Sequence, residues 1–403
     1  MSSKEEKVNR YLNNICSLIK NKRVHEEIKS EIRAHLEELE KGYEREGKRK
    51  DEAADLAIKS LGNPKDIGKN LNKIHRAKVD FKLIITACFI IIFGFLGIAT
   101  FSKGQSSIMG NTYLMNNIIY MIVGVVFFIV GFLWDFRKMK KYSIFMYCIT
   151  LIIEIWSYTR INIATRRMGS SDFMILVPYI SLFAISGLYI KINWKKNFNI
   201  AMAIILGLIP LGLMRLDMRS IPLYLGYSIV LITLIYFNSK NKIIILITGI
   251  IELIIFLGTN LVTNKNIIMS YFKLNNIFNK AKIIGAGTKF GDSSLGLHYP
   301  IVNIIYNYGW LFGIVTILSL LYFTWRIIRV PFLVKSIYGK SISASISIII
   351  SVQIIWGILM NLNIVPFVQL STIFMTYSGI EMILNLFLIG LLINIYKGRT
   401  ITQ

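Results

Sequence analysis

The sequence predicts an all-α, polytopic membrane protein of about ten transmembrane helices behind a small cytoplasmic helical N-terminal domain. Three observations carry that expectation. The 403 residues are 54% hydrophobic, with a mean hydropathy of +0.56. Charged side chains crowd into the first eighty residues, which hold 15 acidic and 19 basic groups. Beyond them run apolar stretches of about 17–25 residues, the length a helix needs to cross a bilayer.

In residues 1–80, Val24, Ile28, Ile32, Leu36, Leu39 and Tyr43 recur at helical spacing between Glu and Lys, which predicts an amphipathic helix. Asp51–Leu61 reads as a second. Gly62-Asn63-Pro64 then supplies a helix stop, an N-cap and a Pro for the next first turn. No apolar core of a cleavable signal peptide is found here. His25, His35 and His75 lie on these charged helices and are expected at the surface or in packing.

The apolar runs fall at 81–101, 115–134, 142–159, 173–190, 198–214, 221–237, 243–262, 300–325, 341–362 and 373–396. With the N-terminus inside, inner loops collect Arg137, Lys138, Lys140, Lys141, Lys191, Lys195, Lys196, Lys240, Lys242, Arg326, Arg329, Lys335 and Lys340. The short outer loops hold only Lys103, Arg160, Arg166, Arg167, Arg215 and Arg219. Positive residues flanking spans favour the cytoplasmic side, so both termini are expected there. The net charge of +24 therefore reports topology and attraction to anionic lipid, not nucleic acid. Cys16, Cys88 and Cys148 are scattered, so neither a disulfide framework nor a metal site is expected, and no cofactor.

One loop stands out. Residues 263–299 form a long outer segment, and loops of such length are usually functional or disordered. Its part from Ile267 to Phe278 mixes apolar and polar residues as a surface-lying segment would. Gly285, Gly287 and Gly291 loosen the chain before the eighth run.

Carboxylates are scarce after Asp80: only Asp135, Glu154, Asp172, Asp217, Glu252, Asp292 and Glu381 remain. Glu154, Glu252 and Glu381 fall inside apolar runs, where an ionisable group is costly and usually faces a polar cavity or a partner. Glu154 and Glu381 both lie in the outer halves of their runs, so they are candidates to line one outward cavity and to pair with Arg160, Arg166 or Arg167. The alternative is an ion pair that only holds helices together. Glycines 124, 131 and 379 read as close helix approaches.

The final hairpin carries Gln353, Pro366, Phe374-Met-Thr-Tyr377-Ser-Gly379 and Asn385. This series resembles, without a gap, the signature of the SEDS family (FtsW, RodA, SpoVE), roughly Gln…Leu-Pro…Pro-Phe-Ile-Ser-Tyr-Gly-Gly-Ser-Ser…Asn. The head, through Glu27–Leu36, Ala53-Ala54 and Leu61-Gly-Asn-Pro64, resembles a permease-prefix domain, which implies a cytoplasmic docking or regulatory module. The SEDS resemblance implies a ten-span fold, polymerisation of undecaprenyl-linked peptidoglycan precursor (lipid II), and a class B penicillin-binding protein as partner. It also implies a catalytic loop between the seventh and eighth spans, where residues 263–299 lie.

Glycosyl transfer needs a base for the acceptor hydroxyl and positive charge for the departing pyrophosphate. The family's catalytic aspartate precedes span eight. Counting back from Gly309 puts His298 at its position, and counting back from Gly313 puts Tyr299 there. Neither is a carboxylate. Three readings stay open: His298 as the base, Asp292 swinging in from six residues earlier, or a protein that binds precursor or a partner without polymerising glycan. A weaker match, Arg215-Leu-Asp217-Met-Arg219-Ser220, resembles the family's Gln-Pro-Asp-Leu-Gly-Thr. There Arg215 and Arg219 offer charge to a lipid pyrophosphate, or else simply answer Asp217. Tyr377 and Asn385 are expected to hydrogen-bond between helices. Outside this family a lipid or solute transporter, with Glu154, Glu252 and Glu381 as substrate or proton sites, is the competing class.

Overall fold

The computed structural model describes residues 3–20, 24–74, 80–103, 107–163, 176–213, 221–239, 242–260, 281–285, 299–365, 372–375 and 379–399, and every regular element among them is a helix. The chain forms two compact units. One comprises Met1–Val79, Val334–Ser336 and Tyr396–Gln403; the other comprises Asp80–Leu333 and Ile337–Ile395.

The first unit contains α1 (Ser3–Ser17), α2 (His25–Arg45), α3 (Lys50–Leu61) and α4 (Pro64–Ile74). On α1, Val8, Leu12 and Ile15 repeat at three and four residues and meet Ile28 and Leu36 of α2 and Ala57 of α3 in one core. All six apolar positions read from the 24–43 spacing lie in or against that core. Gly62, at φ +98°, ends α3, and Asn63 caps the next helix by accepting from the Lys65 N–H at 2.9 Å. Tyr11 ties α1 to this turn by donating to the Gly62 carbonyl at 2.9 Å. His25 is held by the Ile19 carbonyl at 2.8 Å, a packing role.

The second unit holds α5 (Phe81–Lys103), α6 (Ser107–Leu133), α7 (Ser143–Ile163), α8 (Leu176–Lys191), α9 (Asn197–Leu213), α10 (Ile221–Ser239) and α11 (Lys242–Asn260). They are followed by α12 (Pro300–Tyr308), α13 (Trp310–Leu333), α14 (Ile337–Asn361) and α15 (Gly379–Lys397). Six of these are long and apolar enough to cross a membrane: α5, α6, α10, α13, α14 and α15. The apolar helices in α7, α8, α9 and α11 are shorter among the described residues. The protein is thus an all-α, polytopic membrane protein.

The centre is α14, 72% buried, whereas α6 at 17% is peripheral and turns Ile119, Ile122, Val126 and Ile129 outward. Outward apolar side chains on such a helix are what lipid requires. Small residues let α14 sit close to α8, α10 and α13: Ser341, Ser343, Ser345 and Ser347 are all buried, and Ser345 meets Ser186 of α8 at 3.2 Å. Asp80 caps α5 through the Leu83 N–H at 3.2 Å and forms an ion pair with Arg326 of α13.

Two boundaries differ from the expected runs. The run 300–325, expected as one span, is broken at Gly309 into α12 and α13, so the crossing helix is Trp310–Leu333. Gly309 adopts φ +101° and ψ 168°, a conformation unfavourable for a residue with a Cβ. The last run, expected from 373, opens as a turn, and its helix begins at Gly379.

Candidate functional site

The candidate site is the end of the bundle where α14 finishes, α12 begins and the signature turn returns into α15. Helix α12 opens with Tyr299 as N-cap, which has no side-chain cap of its own, and Pro300 in its first turn. The missing acceptor comes from another helix. Asn361, the last residue of α14 and fully buried, takes the Ile301 N–H at 3.0 Å and the Val302 N–H at 3.3 Å on its Oδ1. Its amide donates to the Gly357 carbonyl at 2.8 Å, which holds the side chain in that pose.

The other end of α12 is anchored as well. Residues 281–285 lie against the Gly309 break: the Trp310 N–H bonds Lys282 O at 3.0 Å, the Leu311 N–H bonds Ile283 O at 3.2 Å, and the Gly285 N–H bonds Tyr308 O at 3.0 Å. These carbonyls satisfy the first donors of α13, and a Cβ on Gly309 would run into that stretch of backbone. Gly285 and Tyr299, which flank residues 286–298 in sequence, therefore lie at opposite ends of a helix about 13 Å long; residues 286–298, with Asp292 and His298, fall outside the described residues.

The signature turn is packed without slack. Thr372, Ile373 and Met375 are fully buried, and the Met375 N–H closes the turn on Thr372 O at 3.0 Å. Phe374 takes φ +63°, a left-handed conformation rare for a bulky side chain. This conformation directs its carbonyl at Gly94 of α5, where any Cβ would collide with it. Its ring meets Phe323 of α13 edge-on, with centroids 6.4 Å apart. Further in, Gln353 of α14 donates to the Tyr179 hydroxyl of α8, and Glu381 is buried in the first turn of α15. Asn385, one helical turn beyond Glu381, is 1% exposed.

Of the catalytic and substrate-binding candidates read from sequence, Glu154 and Glu381 have described side chains. Glu154 is buried on α7, and neither of its carboxyl oxygens has a hydrogen-bond partner. Glu381 is buried in the first turn of α15. Arg160 lies on α7, but its side chain falls outside the described residues, as do Arg166, Arg167, Arg215, Asp217, Arg219, Asp292, His298, Pro366 and Tyr377. Tyr299, one of the two residues counted to the aspartate position, is 2% exposed and packed in an apolar cluster with Val302 and Met360. It serves as an anchor. Sequence reading missed Asn361 and Tyr179; an amide at the very end of a long apolar helix is the one signal that pointed to the former. No group of three His, Cys, Asp or Glu able to hold a metal ion occurs among the described residues.

No family model and no curated protein matches the chain. Solved structures do. A chain of a peptidoglycan synthase complex, described as structurally coordinating polymerization and crosslinking, superposes with a TM-score of 0.61 at 12% identity, covering 80% of this chain and 98% of its own. Thermus thermophilus rod shape determining protein RodA gives 0.59 at 11% identity with the same coverage. An aspartate-to-alanine mutant of that RodA gives 0.58 at 12%. The chain shares their fold. The likeness to these structures thus extends over 98% of their length, at the level of fold.

Proposed function

We propose that this protein is a divergent SEDS-type protein of the bacterial plasma membrane that takes undecaprenyl-linked peptidoglycan precursor, lipid II, at the outer face. The observation that carries the proposal is the coverage of 98% of RodA-type chains by a bundle whose Gln353, Phe374, Gly379 and Asn385 match the signature hairpin. In this reading the six long and four shorter apolar helices are ten crossings, and both termini are cytoplasmic. The head is a cytoplasmic docking module. A class B penicillin-binding protein is the partner that crosslinks the strands.

The chemistry assigned is glycosyl transfer. The acceptor hydroxyl of one precursor attacks the anomeric carbon of another, the bond to diphosphate breaks, and undecaprenyl diphosphate departs. His298 accepts the hydroxyl proton as a neutral imidazole, with Asp292 of the same tethered segment as the alternative base. Arg160, Arg166, Arg167, Arg215 and Arg219 meet the pyrophosphate, with Asp217, Glu154 and Glu381 as polar lining.

A second reading, precursor binding without polymerisation, is favoured by one observation: the aspartate position maps to an imidazole or to a buried phenol. Purified protein given labelled lipid II, alone and with the candidate penicillin-binding protein, separates the two. Glycan from wild type that disappears in His298→Ala, and survives in Asp292→Ala, supports the imidazole base. The converse assigns Asp292. Precursor binding with no glycan in either condition sinks the polymerase and leaves the scaffold.

A further inference from the structure

Helices α7, α8 and α9 pack together, and the starts of α7 and α9 meet the end of α8 at one end of the membrane unit. Cations collect there. Between α6 and α7 the chain makes a short 3-10 helix, Phe136–Lys140, which Asp135 caps by accepting the Arg137 N–H at 3.3 Å. Phe136 is buried and stacks on Tyr338 of α14, with ring centroids 6.3 Å apart, so this turn is anchored to the bundle. It carries Arg137, Lys138, Lys140 and Lys141 to the membrane boundary.

The connection from α8 to α9 supplies Lys191, Lys195 and Lys196. It is held compact: the Trp194 indole N–H donates to the Tyr189 carbonyl at 2.8 Å, and Asn193 accepts the Lys195 N–H at 3.1 Å. Lys191 then donates to the hydroxyl of Ser143, the first residue of α7, at 3.2 Å. Gly187 lies so close to Ser143 that an added Cβ would come within 2.7 Å of that side chain. The two basic turns are therefore neighbours by contact.

Together, residues 135–143 and 187–199 hold seven cations against one carboxylate, and that carboxylate caps its own turn. Lys138, Lys140, Lys141, Lys195 and Lys196 are exposed, and none has an ion pair or a side-chain hydrogen bond among the described residues. Other cations of this unit are answered. Arg326 pairs with Asp80, Arg329 lies 4.2 Å over the Trp325 ring, and Lys340 lies 4.5 Å over Phe237. Gathered like charges repel, and the positive dipole ends of α7 and α9 add to the excess. A bound anion relieves it.

The surroundings say which anion. Tyr142, Ile144 and Phe145 follow Lys141 on α7, and Phe198 follows Lys196 on α9; all four are exposed, Phe198 at 74%. Positive charge thus borders directly on apolar surface. A phospholipid of net negative charge offers phosphate to the first and hydrocarbon to the second, whereas a soluble phosphate offers only the former.

We propose that these two turns form a binding site for one anionic phospholipid, with its phosphate among Lys140, Lys141, Lys195 and Lys196. Its chains lie against Tyr142, Phe145 and Phe198. The site holds lipid at a fixed place, which the diffuse attraction of a positive surface does not. In the orientation proposed above it faces the cytoplasmic leaflet, away from lipid II, but binding itself depends neither on that orientation nor on the polymerase reading.

The test titrates phosphatidylglycerol or phosphatidylcholine of the same chain length into the full chain in detergent, with bound lipid counted by native mass spectrometry. Wild type should saturate at one tightly held phosphatidylglycerol and hold phosphatidylcholine at least about tenfold more weakly. Changing Lys140, Lys141, Lys195 and Lys196 together to Gln should weaken phosphatidylglycerol about a hundredfold. A control with Lys59, Lys65, Lys69 and Lys73 of the head changed to Gln, the same loss of charge from exposed positions, should stay within about twofold of wild type. Equal loss in both variants, or none in the first, overturns the proposal in favour of diffuse attraction. Displacement of the lipid by an equal concentration of glycerophosphoglycerol, the headgroup without chains, overturns the assignment to lipid. A wild type that takes both lipids equally sinks it without any variant.

Discussion

Asn361 serves two helices with one side chain, because its amide end stays in α14 while its oxygen caps α12. Asn361→Ala removes an acceptor from two buried N–H groups, which should cost about 1–3 kcal/mol of stability. Asn361→Asp keeps the acceptor and should recover most of that loss; thermal unfolding in detergent measures both. Gly94 shows the opposite dependence, on the absence of atoms. A methyl there meets the Phe374 carbonyl, which is backbone and held by the turn, so Gly94→Ala should destabilise by about 1–3 kcal/mol. At this scale the sequence was only partly readable. Gln353, Gly379 and Asn385 stood out because their series along one hairpin resembles the SEDS signature. The bond from Gln353 to Tyr179 did not, since the two lie 174 residues apart and nothing local marks the tyrosine.

At the scale of elements, hydropathy located the helices and misjudged where one of them stops. The run through 300–325 holds no charged residue, so an average over it sees a single span. The break is conformational: a positive φ at one glycine and carbonyls from residues 281–285 waiting for the freed N–H groups. The junction of α5 and α13 depends on charge. Asp80 is 6% exposed and carries both a helix cap and the Arg326 ion pair. Arg326→Met should strand the carboxylate and destabilise the bundle by about 3–5 kcal/mol. Adding Asp80→Asn should restore much of it, since the amide oxygen still caps α5; Tm values across the four proteins of this cycle give the coupling.

For the molecule as a whole, the division between a charged head and an apolar remainder was visible in composition, and the all-α class followed from periodicity. The hydroxyls that Tyr147, Tyr189 and Tyr227 donate to the Leu206, Ala203 and Gly207 carbonyls of α9 were not visible, because they come from three helices and reach α9 only once the chain is folded. The head offers its own check. Burial raises the Cys16 thiol and the Tyr11 phenol above their ordinary values, so folding favours their neutral forms. That contribution is complete below the ordinary thiol and phenol ranges and is lost as pH climbs through the raised folded values. In a Cys88→Ala, Cys148→Ala background, alkylation of Cys16 should be about a hundredfold slower than that of a free thiol at neutral pH, with protection falling at alkaline pH. Topology has a separate test. A cysteine at Lys138 should be labelled by an impermeant reagent only from the cytoplasmic side, and one at Lys103 only from outside.

The segment that leaves α12 at one end and rejoins it at the other has an evolutionary corollary. Both of its moorings, Gly285 on Tyr308 and Tyr299 at the Asn361 cap, belong to the scaffold. Residues between them can be exchanged, added or removed at a closure cost that grows only logarithmically with length, while α12, α13 and α14 keep their packing. A lineage can therefore rewrite the sequence between positions 286 and 298 without refolding its membrane bundle. A chain that keeps the architecture of RodA at 11% identity, yet offers a histidine or a tyrosine where a carboxylate is expected, is what such freedom leaves behind.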